Sequence, residues 1–487
     1  MKIRRTLSLF FALGLIFSCV SSPLTPPELA PPILAPPESP IPPEPPEPEP
    51  PEPEDTAADI LGRVYALLEE EDYAGALALF DLFEGEAAQD SRILLLKASI
   101  LCSAGEFSAA TGIAGGILSE EPENTQALLL LATAEGARGK EKEQKAILER
   151  IIAIDPGHVG ALVDLGNIAI RGQARSPSAA AGFFDRALAR EPENLEALLG
   201  RAGVYRYAQN PKEAEEMLNR GLSLYPEEAS LWGERGRLYR EAGFLVQALA
   251  DLDTAKRLDD GDYWISIDRG MVLLDLNRKQ LALEEFSRAQ SLNPDYFLSY
   301  VYTAGIKDET GDYAGAEADY QTLISLRPDY YFAQEGLGML KMRNREWEHA
   351  RNAFIQAYNQ APGEWSYAIL AMMNWRRMDQ PGNIRDFANL ALRKLSRDSL
   401  EYAMLRLYLD MSGDDGVARR INQEKDPSLK VRMLYYLANY YDIKGIGRLA
   451  DAVFSEITNY EQRMTIPEWR LIAWALEERN LAVGNEP

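Results

Sequence analysis

Small and apolar positions recur along this chain at a fixed interval, and that recurrence organises everything else. In Phe332–Gly363 the pattern runs Leu337-Gly338, then Ala350, Phe354, Ala357 and Pro362. The same places are held 34 positions earlier by Ala304, Ala316, Tyr320, Leu323 and Pro328, and again by Gly270, Ala282, Phe286, Ala289 and Pro294. Each interval carries two helical patterns, which predicts stacked helix-turn-helix units with a core that grows lengthwise. Turn prolines mark the beat at Pro122, Pro156, Pro192, Pro226, Pro294, Pro328 and Pro362. A missing beat falls where Asp260 stands in the turn, and two extra residues lie in the loop 172–178.

One early helix position stays small: Ala98, Ala132, Gly166, Ala202, Gly236, Gly270, Ala304 and Gly338. The matching place on the second helix is held by Ala76, Ala110, Ala180, Ala214, Ala248, Ala282, Ala316 and Ala350. Small residues there let the two helices of a unit cross closely. Phe80, Phe184, Leu252, Phe286, Tyr320 and Phe354 then plug the gap to the next unit. Together with Trp232 and Tyr239, these residues resemble the tetratricopeptide-repeat family. The resemblance covers ten units over about residues 57–398. It implies an all-α superhelical solenoid of about ten to twelve helix-turn-helix repeats, spanning 56–398.

The pattern frays beyond Pro362. Met372 and Ile384 stand where small residues are expected, so 365–398 is a degenerate unit. Residues 399–425 read as another helix pair, broken at Ser412-Gly413-Asp414-Asp415-Gly416, and 429–461 recover a repeat-like form. A last helix is expected near Thr465-Ile466-Pro467, where proline suits a first helical turn. It would turn Trp469 and Trp474 to the array and Glu477, Glu478 and Arg479 to water. Such an amphipathic end is what a capping helix requires, and 399–487 is therefore read as degenerate repeats plus a cap.

The N-terminal segment is organised differently. Lys2, Arg4 and Arg5 precede an apolar run, Leu7–Phe17, as in a secretory signal peptide, and the run is short for a membrane span. It ends in Ile16-Phe17-Ser18-Cys19, which resembles the lipobox of bacterial lipoproteins. That resemblance implies removal of 1–18 and acylation at Cys19; an ordinary secretory signal with an incidental cysteine is the alternative. Phe17 is bulkier than the usual residue at its place. Residues 19–55 then form a Pro/Glu-rich linker, in which proline excludes helix and strand and favours a stiff polyproline II spacer. A proline tract is also a ligand type for aromatic-lined grooves.

Composition narrows the function classes. The formal charge is −24, which argues against a nucleic-acid groove, since phosphate binding needs concentrated Lys and Arg. Two cysteines, Cys19 and Cys102, exclude a disulfide framework. His158 and His349 are the only histidines, and neither sits in a nucleophile or metal motif. No phosphate loop or dinucleotide glycine pattern occurs. No cofactor, metal or catalytic residue is therefore expected.

In tetratricopeptide-repeat proteins the concave face, built mainly from first helices, binds partners. Mapped onto this chain, the resemblance places Asn167, Arg171, Arg206, Tyr207, Arg237 and Arg240 there, a cluster suited to a carboxylate or acidic segment. It also places Trp264, Met271, Phe332, Met339, Met342 and Met373 there, which suits an adaptable apolar groove. Alternatively, the arginines pair with Glu234 and Glu241, and the methionines belong to the inter-helix core. The chaperone-tail clamp of some family members is not expected, because Val163 stands one turn before Asn167 where that clamp needs Lys. These features predict a non-enzymatic scaffold of a bacterial cell envelope, lipid-anchored to a membrane, its body periplasmic and its partner another envelope protein or peptide. The alternative is an accessory component of periplasmic solute uptake, binding a small apolar ligand or a solute-binding protein.

Overall fold

The computed structural model describes residues 56–171, 175–378, 384–460 and 466–479. Cys19 and the proline tract lie outside the described residues, as does Thr465. Among the described residues the structure is helical without strands. The chain divides into two compact units, Met1–Pro226 and Glu227–Pro487.

The N-terminal unit contains α1 (Ala57–Glu69), α2 (Tyr73–Ala78), α3 (Ser91–Ser103), α4 (Phe107–Glu120), α5 (Thr125–Ala137), α6 (Glu141–Ile154), α7 (Val159–Arg171), α8 (Pro177–Arg190), α9 (Leu195–Tyr207) and α10 (Pro211–Leu224). Each helix packs antiparallel on the next, and neighbouring pairs stack. The first helix begins where the sequence places it. Thr56 and Asp59 form a capping box, each side chain accepting from the other's backbone N–H. Asn124 and Asn194 cap α5 and α9 by accepting from the amides of Ala127 and Ala197, both at 3.0 Å. Pro177 and Pro211 occupy first-turn positions, where their missing donors cost nothing.

The C-terminal unit contains α11 (Ala229–Glu241), α12 (Leu245–Leu258), α13 (Tyr263–Asp275), α14 (Lys279–Leu292), α15 (Phe297–Thr310), α16 (Tyr313–Leu326), α17 (Tyr331–Arg343), α18 (Trp347–Gln360), α19 (Trp365–Arg377), α20 (Ile384–Leu392), α21 (Leu400–Asp410), α22 (Asp414–Gln423), α23 (Pro427–Ile443), α24 (Gly447–Ile457) and α25 (Trp469–Glu478). Through α18 these are regular pairs. From α19 onward the packing changes, because α21 and α23 both lie against α19. Every residue of α19 from Ser366 to Trp375 is buried. A helix covered on all sides has no need of a polar stripe, which accounts for the apolar residues at its formerly small positions.

The small positions do what the pattern predicts. Phe184 of α8 lies between Gly166 of its own pair and Gly200 of the next. A Cβ at either glycine would come within 2.7 and 2.3 Å of the ring. Tyr320 of α16 is likewise wedged against Gly336 of α17, at 2.4 Å. The core is accordingly a series of small clusters until α17–α25 merge into one larger cluster.

A second periodic device ties neighbouring repeats. Arg186 and Arg220 reach back from second helices to the carbonyls of Pro156 and Pro192, both at 2.6 Å. Arg150 does the same to Pro122, and Gln360 to Pro328. The turn carbonyls that proline leaves without a helical partner are satisfied in this way.

Candidate functional site

In the N-terminal unit, Asn167 and Arg171 stand on α7 and Arg206 and Tyr207 on α9. Arg171 is exposed and Tyr207 is 54% exposed, whereas Asn167 and Arg206 are half-buried. Asp164, one turn before Asn167, joins this group. Burial pushes its carboxyl up to about 6, Glu196 adds to the shift, and Arg171 opposes it.

In the C-terminal unit, Arg237 donates through Nη1 to Glu234 Oε1 at 2.6 Å and through Nε and Nη2 to Asp268 Oδ2, at 3.1 and 2.5 Å. Burial opposes its charge, but the carboxylates of Glu234 and Asp268 outweigh that penalty and hold it firmly protonated. Arg240 donates to Asp275 Oδ2 at 2.6 Å. Both guanidinium groups are thus matched by carboxylates of their own unit. Tyr302 belongs with the methionine zone. It stacks on Phe286 at 4.4 Å and donates its hydroxyl to the Met271 sulfur at 3.0 Å.

The apolar candidates separate into two kinds. Trp264 is 46% exposed and Phe332 is 51% exposed. Met339 is only 4% exposed, and Met342 and Met373 are buried beside it in the core formed with α19–α25. The reason is the packing of α18, α21 and α23 around α19, with the last helix docking beside this core. Arg470 of α25 pairs with Asp308 of α15, and the Trp474 ring lies edge-on to Tyr313 at 5.6 Å. Arg479 pairs with Asp442 at 2.9 Å and lies over the Phe454 ring at 4.2 Å, so it packs inward where the sequence pattern placed it toward water.

Between α15–α17 and this last segment is an open cleft of about 420 Å³. Val301, Tyr320, Tyr330, Phe332, Glu335 and Met339 form one side, and Pro467 and Arg470 the other. Glu335 accepts from the Tyr367 hydroxyl at 2.8 Å, and burial raises its carboxyl above the usual range. The cleft combines apolar walls with a few fixed charges; it brings no nucleophile and base together. Among the described residues, no group of three or more His, Cys, Asp or Glu could hold a metal ion.

A further feature was not singled out by the sequence reading. Tyr263, Phe297, Tyr331 and Trp365 open successive first helices. With Trp264, Tyr296, Tyr330 and Phe332 the first three form a continuous column of rings, and Trp365 follows at the same place of the next repeat, edge-on to Tyr436 at 6.0 Å. Tyr263 and Trp264 each lie 5.2–5.3 Å from Tyr296; Phe297 lies 6.2 Å from Tyr330, and Tyr331 lies 4.2 Å from Phe332. The signal was present as aromatics repeating every 34 residues at a place outside the repeat's packing positions.

Comparison with known proteins matches family models described as tetratricopeptide repeat at residues 173–237, 267–331 and 306–364. Among curated proteins, human (Homo sapiens) Superkiller complex protein 3 is 38% identical over 109 residues, 22% of this chain and 7% of that one. Cellulose synthase operon protein C of Xanthomonas axonopodis pv. citri (strain 306) is 26% identical over 190 residues, 37% of this chain and 12% of that one. The chain therefore spans a small part of the length of these relatives. A solved tetratricopeptide repeat protein from Parabacteroides merdae ATCC 43184 is 20% identical, covering 50% of this chain and 96% of that one, with a TM-score of 0.42. The chain carries tetratricopeptide repeats, and its fold is an all-helical repeat solenoid closed by a C-terminal helix. Such repeats are in general non-catalytic scaffolds that bind protein or peptide partners.

Proposed function

We propose that this protein is a non-catalytic scaffold held on a bacterial membrane through Cys19, which presents first-helix faces of its repeats to another envelope protein. The observation that carries this reading is the exposure of two large aromatic side chains, Trp264 and Phe332, on first helices, within a column of packed rings. Exposed aromatic residues in a row are what a protein interface uses as anchors. The anchor in this reading is lipid, because Ile16-Phe17-Ser18-Cys19 resembles a lipobox. Acyl chains contribute about 0.8 kcal/mol per buried CH₂, and two or more give lasting attachment.

The solute-uptake alternative calls for an enclosed apolar cavity. The cleft beside Arg470 is open and carries Glu335 as well, which favours the scaffold.

The test is site-specific photo-cross-linking in intact cells from positions 207, 264 and 332, followed by identification of the attached protein. Recovery of the same envelope protein from at least one position, and its loss when Cys19→Ser releases the scaffold from the membrane fraction, is the expected result. No adduct from any of the three positions, or a Cys19→Ser protein that stays membrane-bound, overturns the proposal.

A further inference from the structure

The aromatic column of the C-terminal unit is partly covered by the chain's own arginines, and the way it is covered indicates what takes the rest. Arg327 lies over the Phe297 ring at 4.7 Å and Arg432 over Trp365 at 4.1 Å. Between and beyond them, Trp264 and Phe332 stand open. A ring face attracts a guanidinium through its quadrupole, and a neighbouring carboxylate strengthens the attraction. Carboxylates are present along the column: Asp295 precedes Tyr296, Asp329 precedes Tyr330, and Glu364 precedes Trp365, all three exposed. Arg327 already uses this combination, pairing with Asp329 at 3.1 Å while it covers Phe297.

We propose that the column docks a basic, arginine-bearing segment of a protein partner, whose guanidinium groups lie on Trp264 and Phe332 beside Asp295 and Asp329. The assignment rests on the scaffold reading and gives its partner a chemistry. Charge selects this occupant over others that stack on aromatic rings. A nucleic-acid strand meets a chain of net charge −24, which repels its phosphates. The chain's own proline tract, residues 23–55, carries eight acidic residues and no basic one, so the carboxylates of the column repel it.

The probe is a fluorescent (Arg-Gly)₅ peptide, titrated against the full chain at low salt and compared with (Gln-Gly)₅, a neutral β-glucan hexasaccharide and a peptide of residues 23–55. Selective binding of the arginine peptide, weakening as salt rises, is expected. The double variant Trp264→Leu with Phe332→Leu keeps an apolar side chain at each place and removes the rings, and should weaken binding at least about tenfold with an unchanged melting curve. Asp295→Asn with Asp329→Asn should weaken it further at low salt than at high. Arginine-peptide binding that survives the leucine pair is diffuse charge attraction and overturns the assignment, as does preferential binding of the glucan or of residues 23–55. Should the leucine pair fail to fold, Phe332→Leu alone, with an expected loss of about threefold or more, decides in its place. If no peptide binds while cross-linking from position 332 still attaches an envelope protein, the basic-segment assignment fails and the scaffold reading stands.

Discussion

Arg470 and Asp308 meet across the C-terminal unit, joining its last helix to a helix that begins more than 170 residues earlier. Asp308 has 2% of its side chain exposed, and the Tyr320 hydroxyl donates to the same oxygen at 3.0 Å. One turn beyond Arg470, Trp474 donates its indole N–H to Tyr313 at 3.3 Å. Leu471, Ile472 and Leu476 fill the core beneath. The capping helix is therefore held by a buried charge pair as well as by apolar burial. Removing one member of such a pair strands the other charge. Arg470→Ala should cost about 3 kcal/mol in urea unfolding, and adding Asp308→Asn should recover much of it. An unchanged unfolding midpoint for the single variant would mean that the pair does not fasten the helix.

Gly270 owes its identity to Phe286. A Cβ there would lie 2.6 Å from a ring that is fully buried and stacked on Tyr302, so the ring has nowhere to move. Gly166 and Gly338 face Phe184 and Phe354 in the same way. Leu148, a smaller plug, shares its cluster with Ala132 at the matching position. Gly270→Ala should therefore destabilise by about 1–3 kcal/mol, although alanine is the better helix former. Pairing it with Phe286→Leu should return part of the loss, and thermal unfolding of the three variants measures both effects.

How much of this was legible beforehand follows from the range of each interaction. Gly270 and Phe286 are separated by one helix-turn-helix, and their sizes repeat, so the sequence carries the contact many times over. Arg237 is different. Its position on a first helix is fixed by the repeat, but its availability depends on Asp268 in the next repeat, 31 residues on. Glu234 was a foreseeable partner; Asp268 was not, because no periodic signal marks a rotamer. Met339 was placed correctly on its helix, yet its burial depends on the larger core into which α17–α25 merge. A single long-range docking leaves no period to read. The aromatic column was readable in principle, at Tyr263, Phe297, Tyr331 and Trp365, but these rings lie outside the positions that define the repeat.

Among the described residues, the turns inside the repeat pairs carry a left-handed residue, and the chain supplies it unevenly. Gly105, Gly139, Gly243 and Gly311 have φ between 79° and 89° at this place, while Gln209 holds φ 58° and Arg345 φ 60°. A side chain in this region costs about 1–2 kcal/mol relative to glycine, partly offset by glycine's greater freedom when unfolded. Gln209→Gly should accordingly raise stability by about 0.5–1 kcal/mol, and Gly243→Gln should lower it by about 1 kcal/mol. Circular-dichroism melts of the two variants check the opposite signs.

Asp164 offers a pH-dependent test in the N-terminal unit. Burial, helped by Glu196, lifts its carboxyl from the ordinary value near 3.8 to about 6. A raised acid binds its proton more tightly in the folded chain than in the unfolded one. Its contribution is therefore fully present below pH 3.8 and is lost as pH rises through about 6. At pH 7 the folded unit carries a poorly solvated carboxylate, at a cost on the order of 2 kcal/mol after allowance for partial solvent access. Asp164→Asn removes that charge with little change of shape. The variant should be more stable than the parent by on the order of 1–2 kcal/mol at pH 7, with the difference shrinking toward pH 4. Urea unfolding at pH 4, 5, 6 and 7 measures it. A difference that stays constant across this range would mean that Asp164 does not titrate within it, and that Arg171 stabilises its charge far more strongly than the arrangement of α7 indicates.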